Sequence, residues 1–126
     1  MKGLLLDTHA LIWFISDPKK LLKSTYDIIA DPSKVIYLSA AAIWEISIKR
    51  ALGRLETPDN LLSVLEENRI SVLNITGEHA LAVASLPLIH QDPFDRILVA
   101  QALIEPMRLM THDALVARYS DTIIKI

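Results

Sequence analysis

Short apolar runs of strand length recur along this chain, each followed by a stretch long enough for a helix, and that alternation restricts the fold more than any other feature. Gly3 to Leu6 is apolar, Val35 to Leu38 is β-branched and aromatic, and both end at polar or turn-capable residues. Ser71 to Ile75, Arg108 to Met110 and Thr122 to Ile126 are further strand candidates, the last suited to a sheet edge. Helix start signals lie between them: Thr57 before Pro58, Thr76 before the stretch from Glu78 to Leu86, and Asp92 before Pro93. Leu61, Leu62 and Leu65 repeat at helical spacing. Ser39 opens a helix from Ala40 to about Leu52 that Gly53 stops, and Lys20 to Ala30 forms another before Asp31-Pro32. Strands that alternate with helices require right-handed crossovers. The predicted fold is therefore α/β, a three-layer α/β/α sandwich around a central, mostly parallel sheet of four or five strands. Residues 1–126 suit a single domain, since halves of this length would not bury a sufficient core.

Composition narrows the function classes. At 52% hydrophobic and 22% charged residues the chain is no disordered tail, and its elements should be covered on both faces. The absence of cysteine removes disulfides, thiolate zinc sites and cysteine nucleophiles together, and suits a reducing cytoplasm. Asp7 cuts the first apolar run well short of a signal core or membrane span, so a soluble protein is expected. The formal net charge of −2 means that any nucleic-acid partner would have to be attracted by a local basic patch. Lys19, Lys20 and Lys23 form one such cluster and Lys49, Arg50 and Arg54 another, although solvated helix faces are the plainer reading of each.

Four carboxylates sit in unusually apolar company. Asp7 is the only formally charged residue between Gly3 and Ser16, and Glu45 the only one between Val35 and Ile48. Asp95 falls at the third position of the helix that Asp92 is placed to cap, and Asp113 ends the run Leu109-Met110-Thr111-His112. Each has a local explanation. Asp7 could cap a helix starting near His9, Asp95 and Asp113 could be first-turn acids favoured by the helix dipole, and Glu45 could extend to solvent. Asp92 reads most simply as a cap. Taken together, the four follow a strand or lie within the first two turns of the next helix. In a parallel α/β sheet that is the edge where ligands bind.

Ionised carboxylates converging there would be costly without a compensating charge, and a divalent cation supplies one. Hard oxygen donors without cysteine favour Mg²⁺ or Mn²⁺ over zinc, and such an ion can activate water against a phosphodiester. His9 and His112 flank acids and invite a general-base role, with exposed loop histidines as the alternative. Thr8, Ser39 and Thr111 offer hydroxyls to a ligand carboxylate or phosphate, or else cap helices. Arg96 could reach phosphate or pair with a neighbouring acid.

As an ordered set these segments resemble a known family. Leu5-Leu6-Asp7-Thr8-His9-Ala10-Leu11, Ser39-Ala40-Ala41-Ala42-Ile43-Trp44-Glu45-Ile46, His90-Gln91-Asp92-Pro93-Phe94-Asp95-Arg96 with Ala100-Gln101-Ala102, and Leu109-Met110-Thr111-His112-Asp113 are similar to the PIN domain across essentially the whole chain. Within that family the likeness is to VapC-type toxins of toxin–antitoxin pairs. The resemblance implies a Mg²⁺- or Mn²⁺-dependent ribonuclease whose catalytic and metal-holding acids are Asp7, Glu45, Asp95 and Asp113. It also implies a homodimer and a cognate antitoxin whose C-terminal segment fills an apolar groove, with His9 to Phe14 and Trp13 as one wall of that groove or simply as core. Some relatives carry asparagine at the fourth acid, Asp113 in this chain.

Two other readings compete. A phospho-accepting receiver domain has this length and an acidic Mg²⁺ pocket, but it wants adjacent acids after the first strand, where Asp7 stands alone. A PIN-like module that only binds a partner would have no need of all four acids.

Overall fold

The computed structural model describes residues 2–126. Its chain runs through β1 (Leu4–Leu6), α1 (Thr8–Ser16), α2 (Lys23–Ala30), β2 (Ile36–Ser39), α3 (Ala40–Ala51), α4 (Leu61–Glu67), β3 (Ile70–Leu73), α5 (Gly77–Ala82), α6 (Pro93–Ile104), β4 (Arg108–Thr111) and β5 (Ile124–Lys125). Short 3-10 turns occupy Pro18–Lys20, Val83–Ser85 and Val116–Tyr119. The strands form one five-stranded sheet in the order β3-β2-β1-β4-β5. Every pairing is parallel.

The pleat of β1 explains the layers. Leu4 and Leu6 point into one core with Leu11 and Phe14 of α1, Ile29 of α2, Ile46 of α3 and Leu65 of α4. Leu5 points into the opposite core with Leu98 and Val99 of α6, Leu109 and Val116. All three leucines are buried, as a strand covered on both faces requires. Where β1 leaves Gly3 it runs so close to β2 that an added Cβ would meet the Val35 carbonyl oxygen at 2.8 Å. The expected α/β/α sandwich is what forms, with its sheet wholly parallel.

Several element boundaries differ from expectation. The Thr57-Pro58 signal opens nothing, and α4 begins only at Leu61, after Asn60. The helix expected from Lys20 is split: a 3-10 turn ends at Lys20, buried Leu21 dips into the core, and α2 starts at Lys23. The stretch up to Leu86 divides likewise into α5 and a 3-10 turn. After Asp113 the chain makes a 3-10 turn at Val116–Tyr119 in place of a longer helix. Gly53, at φ 69°, does terminate α3, donating to Arg50. Among the described residues no helix is long and apolar enough to cross a membrane.

Candidate metal centre

Strands β2 and β3 lie to one side of β1, and β4 and β5 to the other, so the order of the sheet reverses at β1 and β4. Just beyond the carboxyl ends of these two strands lies a cavity of about 210 Å³ lined by Asp7, Glu45, Asp92, Asp95 and Asp113, together with Thr8, His9, Lys49, His90 and His112. The four acids singled out from the sequence therefore share one space. A depression of about 550 Å³ near β3, lined by Leu62, Leu65, Glu66 and Arg69 among others, gathers no comparable set of acids.

Asp7 caps α1, its Oδ1 accepting from the Ala10 amide at 2.7 Å. Its Oδ2 accepts from the Thr111 hydroxyl at 2.9 Å and the His112 amide at 2.8 Å. The local explanation and the shared cavity thus hold for the same residue. Glu45 lies in mid-helix, 8% exposed, its Oε1 accepting from Thr8 Oγ1 at 2.6 Å and its Oε2 from Lys49 Nζ at 2.7 Å. These contacts orient both carboxylates before any ligand arrives. Ser39 caps α3 through the Ala41 amide and does not reach the cavity wall.

Of the remaining acids, Asp95 is the one left poorly compensated. Asp92 caps α6, its Oδ1 accepting from the amides of Phe94 and Asp95. Asp95 then projects from the first turn, and its pKa is pushed up to about 7, chiefly by burial and next by the charge of Asp92. His90 opposes that shift, while Glu45 and Asp113 add to it. Asp113 is also penalised by burial, yet a hydrogen bond from His90 and the amides of Val116 and Leu115 hold it below the usual carboxylate range.

His90 was not anticipated as a site residue, although it stands two positions before the Asp92 cap. Its Nε2 lies 2.9 Å from Asp113 Oδ2 and 3.3 Å from Asp95 Oδ2, and the three form a candidate cation site whose ligand atoms are all within 4.8 Å of one another. Its Nδ1 accepts from the Asp92 amide at 3.0 Å, which assigns the proton to Nε2. Burial lowers the His90 pKa, and the facing carboxylates more than offset this, so it stands above its ordinary value. Coordination through Nε2 would need the proton moved to Nδ1, at the loss of the Asp92 amide bond. The imidazole N–H thus occupies the bridging place between two carboxylates where positive charge is wanted.

Among the described residues Arg96 does not form the ion pair with a neighbouring acid that its position suggested. It donates to the carbonyls of Val83, Pro87 and His90 and to the Tyr119 hydroxyl, which pins the segment carrying His90. In the basic clusters, Lys20, Lys23, Lys49 and Arg50 pair with Asp17, Asp27, Glu45 and Asp59 of the same chain. His9 and His112 are exposed at the cavity rim and contact each other and Trp13.

The donor set suits a hard divalent cation: crowded carboxylates of which one, Asp95, is pushed toward protonation by burial and by the charge of its acidic neighbours. Among curated proteins none matches the sequence. Solved structures do match the fold. A toxin–antitoxin complex from Klebsiella pneumoniae superposes with a TM-score of 0.68 at 15% identity, over 98% of this chain and 100% of that one. VapBC2 from Rickettsia felis, crystallised with a DNA fragment from its promoter, gives 0.68 at 15% identity, over 98% and 96% of the two chains. FitAcB from Neisseria gonorrhoeae gives 0.56 at 17% identity with the same coverage, 98% and 96%. The family model described as the PIN domain matches residues 4–121, nearly the whole length, and on that ground the chain belongs to the PIN domain family.

Proposed function

We propose that residues 1–126 act as one Mg²⁺- or Mn²⁺-dependent endoribonuclease domain of the VapC type, the toxin of a toxin–antitoxin pair working in the cytoplasm. The observation that carries this reading is the convergence of five carboxylates on one cavity, where burial and next the charge of Asp92 push the Asp95 pKa up to about 7. Asp7, Glu45, Asp95 and Asp113 would hold the cation. When bound, the ion supplies charge against phosphate oxygens and lowers the barrier for water to attack phosphorus in line, so that a new oxygen–phosphorus bond replaces the ester bond that breaks.

The chain's own groups prepare that step. Thr8 and Lys49 hold the two oxygens of Glu45, and Thr111 with the His112 amide holds Asp7, so the orientation of two acids that would hold the ion is set by the chain itself. Asp95, with its pKa pushed up to about 7, would hold the ion as the carboxylate and so would bind it in competition with a proton. Arg96 and Tyr119 hold the segment that positions His90 and Asp92. No side-chain nucleophile is needed.

The partner side of the reading is supported by Trp44, Ile48 and Leu52, which stand 60%, 38% and 60% exposed at helical spacing along α3. That face suits an antitoxin segment or a second copy of the chain. Family membership leaves the receiver reading without support. Incubation of wild type and Asp95→Asn with single-stranded RNA and Mn²⁺, with the new ends mapped, tests the enzyme. Cleavage by wild type that stops in EDTA and in the variant is the expected result. Cleavage that persists in EDTA would overturn the metal role, and no cleavage at all would favour a binding module.

A further inference from the structure

Two exposed imidazoles at the cavity rim have no part in holding the acids. His9 lies in the first turn of α1 and His112 follows β4, and both line the cavity. Their ring centroids are 5.3 Å apart at an interplanar angle of 48°. Trp13, half-buried against the core, lies 5.6 Å from His9 and 4.6 Å from His112, the latter edge-on. Each imidazole is therefore braced from behind by an indole that the core fixes, so holding the rings costs little further side-chain entropy. Lys20 Nζ stands 5.7 Å from the Trp13 centroid and adds a cation beside the group.

We infer that His9 and His112, braced by Trp13, form a stacking platform for an unpaired nucleobase next to the phosphate that is cut. This rests on the ribonuclease reading above. A phosphodiester held among the acids carries a base on each side within one nucleotide, and His112 adjoins Asp113 while His9 is two residues from Asp7. The two rings pack against each other and both residues stay exposed, which leaves ring surface for the base to stack on. An unpaired base has both faces free for an aromatic platform, whereas a base within a duplex does not. The second aromatic pair, Trp44 with Phe94 at 5.2 Å, lies off the cavity wall and is not placed to meet that base. The platform makes single-stranded RNA the substrate class, with purines preferred for their larger stacking area.

The test uses the full chain, Mn²⁺ and a single-stranded RNA oligonucleotide that wild type cleaves at a mapped bond. The His9→Ala/His112→Ala protein is compared with wild type and with His9→Phe/His112→Phe. The same oligonucleotide carrying an abasic ribose on either side of that bond serves as the second arm. The alanine protein should show KM raised roughly tenfold with kcat changed by less than about threefold, and the phenylalanine protein should restore KM. On one side of the bond, loss of the base should weaken wild type by a similar factor and the alanine protein no further. A kcat near that of wild type in the phenylalanine protein excludes a proton-transfer role for either imidazole. Unchanged KM in the alanine protein while wild type still cuts, or an abasic penalty of equal size in both proteins, overturns the platform and leaves these rings to a protein partner. If wild type cuts no RNA, the ribonuclease reading falls and the platform with it.

Discussion

Replacing Asp95 with asparagine should make the metal-free protein more stable, against the usual effect of altering a half-buried polar residue. Burial first, and then the charge of Asp92, raise this carboxyl from 3.8 to about 7. Between those values the folded chain keeps a proton that the unfolded chain has released, so this group weakens folding as pH rises toward the upper value. The whole interval corresponds to about 4 kcal/mol. Because the Asp95 side chain retains 23% exposure, water screens part of that penalty. Roughly half, about 2 kcal/mol, remains. The amide gives up about 0.5 kcal/mol of attraction to the α6 N-terminus. A net gain of about 1.5 kcal/mol raises Tm by about 5 °C in a chain of this length. Thermal unfolding followed by circular dichroism in EDTA measures it. The variant should melt above wild type at about pH 8, and the gap should shrink to about half near pH 5.5 and close only toward about pH 4, where the unfolded carboxyl is protonated as well. A variant melting below wild type at the higher pH, or a gap indifferent to pH, would refute the reasoning.

Asp7→Asn should have the opposite sign. Both Asp7 oxygens accept hydrogen bonds, so an amide nitrogen would face the His112 N–H, and a loss of about 2–4 kcal/mol should appear in the urea midpoint. Mn²⁺ affinity measured by calorimetry should fall as pH drops through about 7, because proton and cation compete for Asp95, and a flat profile would remove Asp95 from the ligands. Gly3→Ala places a Cβ 2.8 Å from the Val35 carbonyl and 3.2 Å from the Tyr37 ring, so it should cost about 1–3 kcal/mol; an unaltered Tm would contradict that packing.

The layers were legible because β1, β2 and β4 are nearly continuous apolar runs, a pattern that only a sheet covered on both faces explains. The acids were legible for a related reason, since a charge inside such a run has few other uses. Element ends were harder to read. Nothing in Lys20-Leu21-Leu22 announces that Leu21 turns into the core, and the Pro58 signal was outvoted by a loop that delays α4 to Leu61. His90 was missed because its partner Asp113 is 23 residues away, a pairing made by topology that no local pattern records. Arg96 does not form the ion pair that its sequence neighbour Asp95 suggests. Its actual acceptors, the Val83, Pro87 and His90 carbonyls, belong to a segment with little regular structure of its own.

The central position of β1 has a consequence for synthesis. Asp7 leaves the ribosome well before the hydroxyl and amide that fix its second oxygen, which lie 104 and 105 residues further on. Until β4 has emerged, β1 has a neighbour on one edge only, and the acidic pocket lacks one of its walls. A nascent chain therefore carries Asp7 without two of its three hydrogen-bond donors until the segment through Thr111 and His112 has been made.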